Sequence, residues 1–547
     1  MKTRIAALFA AVLLFAPPLV RADGSQAALR YYGLGDLTRP VTGCSADAQG
    51  WFDQGLAFMY AFNHDEAIRS FRQAAAVDEN CAMAWWGIAV ANGPHINNAA
   101  VPEDHTAEAV AALARAEQAQ DRASAVEREL IAAQKKRFVL PSPADRSALD
   151  KAYADAMAAV WKNHPTDADV GALYAEALAD LHPWDLWTAD GEPKNGALEV
   201  IAALDAVLAL APKHPLANHL YIHALEASPY PDRAIPAADV LRDLQPGLGH
   251  MVHMPSHIDI RTARWAHAIA ANRKAIDADR AYQARAPAPQ FYRLYIAHNY
   301  HMLTFAAMMS GRSEQALTTI RAMVADVPAD FFRENSFVDG LMVMPLEVLM
   351  RFGRWDEVLA EPDYPDYVPI SRTLRHYARA VAYAAKDDFE SARKEQAAFA
   401  ESRTRVPPEA VFGTNPASAI LAIAEQVMSG EILYRSGNTQ AGLAALREGV
   451  RREDAMLYDE PPDWIQPVRH PFGAALLQSG QYAEAEAVFR ADLKRWPGNG
   501  WGLYGLARAL ELQGRGDEAA ETMKAFDAVW DGADIRIKSP CLCLPGV

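Results

Sequence analysis

The feature that most limits what this chain can fold into is a recurrence of about 34 residues. In a window opening at residue 48, Trp51, Gly55, Phe58, Ala67, Phe71 and Ala74 fall at positions 4, 8, 11, 20, 24 and 27. A window opening at 466 puts Gly473, Leu476, Ala485 and Phe489 at positions 8, 11, 20 and 24, and Pro497 at 32. The next window, from 500, repeats the pattern with Ala507, Leu510 and Ala519. Small residues at 8 and 20 let two helices touch, and an aromatic ring at 24 fills the gap to the next repeat. Such a unit cannot bury its apolar face alone, so it must stack on its neighbours.

Between these ends the pattern weakens but persists. SGRSEQALTTI (310–320), FGRWDEVLAE (352–361), AKDDFESARKE (385–395), SGNTQAGLAAL (436–446) and SGQYAEAEAVF (479–489) each read as a polar turn followed by an amphipathic helix. Alanine dominates the apolar share and β-branched runs are sparse, which favours helix. The chain therefore reads as all-α, an α-solenoid of helical hairpins from about 46 to 530. Pro-rich loops interrupt it near 139–144, 183–193, 229–236, 285–289 and 406–416. The expected organisation is a signal peptide (1–22), a leader (23–45), N-terminal repeats (46–212), His-rich central repeats (213–312), C-terminal repeats (313–530) and an irregular tail (531–547).

The first segment reads as an export signal. Lys2 and Arg4 precede an apolar stretch from Ile5 to Val20, and Val20, Arg21 and Ala22 suit cleavage. Pro17 and Pro18 and the short apolar length argue against a membrane span. Removing this segment takes three positive charges and no acid from a formal charge of −16. The resulting acidity disfavours nucleic acid and anionic lipid as partners. The expected location is periplasmic or secreted, with no integral membrane segment in the mature chain.

The windows at 48, 466 and 500 resemble the tetratricopeptide repeat family, and the resemblance covers most of the chain. The strings CSADAQGWFDQGL, FNHDEAIRSFRQAA, CAMAWWGIA, HPWDLW, NHLYIHALEAS and HMVHMPSHI are similar to a group of exported bacterial proteins of this kind. The resemblance implies a peptide- or protein-binding scaffold. Nothing in the repeat signature asks for histidines.

Yet nine of the sixteen histidines fall between His214 and His301. In ANHLYIHALEAS, His219, His223 and Glu226 share one helix face. In GHMVHMPSH (249–257), His253 and His257 lie 34 residues beyond His219 and His223, and His250 extends the second face backward. Pro255 fits only in a first turn or at a kink. A third helix carries His298 and His301. The expected ligand set for one or two transition-metal ions (copper, zinc or iron) is His219, His223, Glu226, His250, His253, His257, His298 and His301, facing a concave groove. His214 and His267 read as structural. A bound metal points to a hydrolase or an oxidoreductase. A scaffold holding a protein or peptide partner in the groove, and a metal storage or delivery protein, are the competing readings.

Other positions are weaker. HPWDLW (182–187) reads as an aromatic rim or an apolar plug, and His64 and Glu66 in FNHDEA read as capping residues. Cys44 and Cys81 each precede the first helix of successive hairpins, which favours a disulfide between them. Cys541 and Cys543 leave a strained bridge, an interchain bond, a soft-metal site and reactive thiols in a disordered tail all open.

Overall fold

The structure is a computed structural model and describes residues 29–194, 196–285 and 291–544. The signal-peptide segment lies outside them. Helices run from Ala46–Tyr60 to Gly516–Trp530, and the one two-stranded pairing among the described residues joins Val411–Phe412 to Asn415–Pro416. The chain forms two compact units. The first comprises residues up to Ile258 with Lys274–Tyr292; the second comprises Asp259–Arg273 with Arg293–Val547. The 213–312 segment contributes to both. No described helix is long and apolar enough to cross a membrane.

Several helix starts have a local cause. Ser45 accepts from Ala48 N–H, Asn63 from Glu66 N–H and Asp167 from Val170 N–H, so side chains satisfy amides that a helix leaves open at its N-terminus. Ser124 and Glu127 form a reciprocal capping box. In the first unit the helix pairs include Ala46–Tyr60 with His64–Val77, Ala82–Ala91 with Glu103–Ala119, and Pro215–Glu226 with Ile235–Leu244. In the second they include Pro369–Ala385 with Phe389–Arg403, Ala417–Arg435 with Thr439–Asp454, and Gly500–Leu512 with Gly516–Trp530.

The same packing device appears in both units. Phe71 is fully buried against Gly55 and Gly87, where an added Cβ would come within 2.7 and 2.5 Å of its ring. Phe489 sits likewise against Gly473 and Gly505, at 2.3 and 2.4 Å. No side chain fits between backbone and ring at these distances. The glycines are therefore the slot and the phenylalanine the key.

Cys44 and Cys81 form a disulfide with Cα atoms 4.7 Å apart, joining the approaches to Ala46–Tyr60 and Ala82–Ala91. Among the described residues, the tail after Trp530 has no helix but is held in place. The Asp534 carboxylate accepts from Ser313 N–H, Ser313 Oγ–H and Glu314 N–H, capping the helix Ser313–Asp326.

Phe71→Ala empties the slot between two glycines that cannot collapse into it. It should lower unfolding free energy by about 3–5 kcal/mol, measured by denaturant titration. A loss under about 1 kcal/mol would contradict the packing account.

Candidate metal centre

The helix Pro215–Glu226 begins with proline at its first position, and the His214 side chain accepts from Ala217 N–H. All twelve of its residues are buried. His219 and His223 are one turn apart on it, 0% and 8% exposed. The short helix Gly249–His253 is also buried at all five positions. It can pack there only because residue 249 lacks a side chain: a Cβ would lie 1.9 Å from Asp279 Oδ1. That carboxylate also accepts from the Tyr292 hydroxyl at 2.8 Å.

These two helices bring three imidazole nitrogens together. Nε2 of His219 lies 3.2 Å from Nε2 of His223 and 3.1 Å from Nε2 of His250. One ligand atom from each of the three residues lies within 4.8 Å of the others. The opposite ring nitrogens are committed elsewhere. His219 Nδ1 donates to the Tyr60 carbonyl at 2.9 Å, and His223 Nδ1 donates to Glu226 at 2.9 Å. Carbonyl and carboxylate oxygens only accept, so both protons sit on Nδ1 and both Nε2 atoms carry lone pairs.

Glu226 is shared. Its other oxygen accepts from His257 Nδ1 at 2.6 Å. His257 Nε2 lies 2.8 Å from His253 Nε2, and His253 Nδ1 is 3.3 Å from Ser256 Oγ. The carboxylate thus orients one histidine of each group. His223 and His257, one repeat apart in sequence, meet with ring centres 5.7 Å apart. His219 contacts His250, whereas the 34-residue spacing pairs it with His253. The helix breaks at Met254, and Pro255 opens the next helix, Pro255–Arg261, which sets His253 against His257. His298 and His301 lie on the helix Tyr292–Met309, in the part belonging to the second unit. His301 is buried, and burial pushes it down to about 3.

Two aromatic residues wall the centre, and both are strained. Phe62 and Trp184 are two of four non-glycine residues with positive φ among the described ones, at 56° and 59°. The Phe62 ring stands 4.4 Å from His219 and 5.8 Å from His250, centre to centre. Trp184, half-exposed in HPWDLW, meets His223 edge-on at 5.2 Å. Trp187 Nε1 donates to the Ala224 carbonyl at 2.8 Å and ties that loop to the histidine helix. One tryptophan of the loop is therefore a rim and the other an anchor.

Two further histidines join the wall without a clear signal in the sequence. His95 stacks on Phe62 at 4.3 Å, and His64 lies 4.5 Å from His95. Neither His64 nor Glu66 caps its helix, since Asn63 does so. Glu66 instead accepts from Arg69 and from the hydroxyls of Tyr31 and Tyr282. The only hint was His64 next to a turn and His95 in GPHINN, and turns carry no face periodicity.

Burial dominates the electrostatics. It pushes His64 down to about 3, His95 and His219 well below the usual histidine range, and His223 down against the opposing pull of Glu226. Burial alone would raise the Glu226 carboxyl, but His257 and His223 hold it below the usual carboxylate range. Burial makes all four rings harder to protonate in the folded chain than in the unfolded one, where histidine titrates near 6.5. As pH falls below about 6.5 the unfolded chain takes up protons the native one refuses, so stability falls, at up to about 1.4 kcal/mol per pH unit for each ring that stays neutral. For His64 this continues to its folded value of about 3. The thermal midpoint of metal-free protein should drop between pH 7 and pH 5, and His64→Gln should flatten the drop. A calorimetric midpoint constant over that range would contradict the neutral assignment.

Two repeat-family models are in keeping with this helical architecture. Tetratricopeptide-repeat models match residues 52–92 and 476–528. No curated protein matches the chain. Among solved structures, a human IFIT1 dimer with PPP-AAAA is similar at 11% identity, covering 87% of this chain and 89% of its own, with a TM-score of 0.31. The APC/C hetero-tetramer Cut9-Hcn1 is similar at 12% identity over 92% and 79%, with a TM-score of 0.30. The P58(IPK) TPR domain is similar at 11% identity over 89% and 97%, with a TM-score of 0.19. Tetratricopeptide repeats thus stand near both ends of a chain whose described residues are mainly helical.

Proposed function

We propose that the chain is an exported repeat protein that binds a transition metal through Nε2 of His219, His223 and His250. One observation carries this reading: the lone pairs of His219 and His223 face each other at 3.2 Å in a buried site. Two lone pairs at that distance repel unless a cation lies between them. A proton is a poor candidate, because burial disfavours charge on both rings. A tetrahedral metal with bonds of 2.0–2.1 Å spaces its nitrogens about 3.3 Å apart, close to the arrangement here. Nδ1–H bonds to Tyr60 and Glu226 are also the contacts that fix a metal-binding tautomer.

The set of three neutral imidazoles suits zinc or copper better than iron, which commonly takes a carboxylate. Glu226 serves as the orienting carboxylate, and His253 and His257 form a neighbouring couple able to hold or pass a proton. A metal so held supplies Lewis acidity at an open fourth position, the requirement of a hydrolase or an oxidoreductase. Export is supported by the charge pattern of residues 1–22 and by the Cys44–Cys81 disulfide, a bond suited to oxidising compartments.

The repeats themselves favour a second reading, a protein- or peptide-binding scaffold in which the cluster is structural. Elemental analysis of untagged protein separates the two. We expect about one equivalent of zinc or copper, lost in His219→Ala/His250→Ala. Less than about a tenth of an equivalent after reconstitution would leave only the scaffold. Gly249→Ala replaces no ligand but drives a methyl into Asp279, so metal affinity should fall by about tenfold or more. Unchanged affinity in that folded variant would show that Gly249–His253 does not supply a ligand.

A further inference from the structure

A second cluster of reactive groups lies wholly within the second unit. Arg435 Nε donates to the Cys543 carbonyl at 2.9 Å and pins the C-L-C segment against the helix Ala417–Arg435. One turn earlier on that helix is Glu431, and its carboxylate oxygen and the two sulfurs all lie within 4.8 Å of one another. Cys541 and Cys543 are joined as a disulfide. Glu431 is 3% exposed, and its Oε2 has no hydrogen-bond partner among the described residues. The pocket they share is walled by Met350, Val427 and Trp464.

A buried carboxyl oxygen without a partner costs about 1–3 kcal/mol. A disulfide has no proton to offer it, whereas a thiol does. The pocket is therefore chemically complete in the dithiol state and lacks one hydrogen bond in the disulfide state. We propose that Cys541, Cys543 and Glu431 form a thiol–disulfide exchange site that oxidises a protein dithiol, with Glu431 as its proton donor.

The step balances. A thiolate of the substrate attacks Sγ of Cys541, the less buried residue of the two, and the Cys541–Cys543 bond breaks as the mixed disulfide forms. Cys543 Sγ leaves as a thiolate and takes the Glu431 proton. The second substrate thiol then attacks its own mixed disulfide, and its proton passes to the released Cys541 Sγ. The substrate loses two electrons and becomes a disulfide, while Cys541 and Cys543 gain them and become thiols. Cys543 N–H donates to Cys541 Sγ at 3.2 Å, a contact that stabilises the Cys541 thiolate released in the second step.

The surroundings favour a protonated carboxyl. Burial pushes Glu431 up to about 8 against the opposing pull of Arg435. Arg351 and Tyr377 also line the pocket, and Glu347 acts on Tyr377. The Arg351 guanidinium is already engaged by His470 at 2.9 Å and by the Trp501 ring.

The test follows reduction of each disulfide by dithiothreitol, using alkylation and peptide mass mapping on the mature chain. Below about pH 8, Glu431→Gln should slow reduction of Cys541–Cys543 by at least about tenfold, with the two rates converging above about pH 9. Reduction of Cys44–Cys81 should be unchanged. Equal rates for Cys541–Cys543 across pH would overturn the proposal. So would isolation of Cys541 and Cys543 as stoichiometric metal ligands. A second measurement leaves Glu431 in place: with oxidised glutathione, Cys543→Ser should gain an adduct on Cys541, and Cys541→Ser should gain far less on Cys543. The reverse preference, or no adduct on either, would also overturn it.

Discussion

The helix Pro215–Glu226 has no exposed face, and the candidate centre follows from that constraint. An imidazole in such a helix cannot exchange its hydrogen bonds with water, so each ring nitrogen must find a partner or incur a cost of about 1–3 kcal/mol. The Tyr60 carbonyl and Glu226 take the Nδ1 protons of His219 and His223. That choice leaves two lone pairs face to face, the arrangement on which the proposed metal site rests. The proposed coordination chemistry would thus be a consequence of packing.

The repeat scaffold supplies the surrounding wall at a local cost. Phe62 and Trp184 hold left-handed backbone conformations, each worth about 1–3 kcal/mol of strain. Both rings lie against the histidines, so the strain is concentrated where the site needs rigid walls. Gly249 shows the same economy, since its missing Cβ lets the His250 helix approach Asp279.

The sequence was most legible where one residue type does one job at a fixed spacing. Phe71 and Phe489 with their paired glycines announce the repeat because each ring lies where a Cβ on either glycine would collide with it. His219, His223 and Glu226 were legible because one helix carries them at one-turn spacing. The partner of His219 was not, because the 34-residue period assumes an unbroken helix through 249–257, and Pro255 interrupts it. His64 and His95 reach the centre from turns more than a hundred residues away, where no periodicity reports direction. Glu431 and the C-L-C segment are likewise joined only by tertiary folding. The two candidate sites lie in different units and call on different chemistry.

X-ray absorption at the edge of the bound metal tests the central claim most directly, because it reads the donor atoms themselves. The account predicts a first shell of three nitrogen donors at about 2.0–2.1 Å, with the outer scattering of imidazole rings. A first shell containing sulfur at about 2.3 Å, or one dominated by carboxylate oxygen, would contradict it.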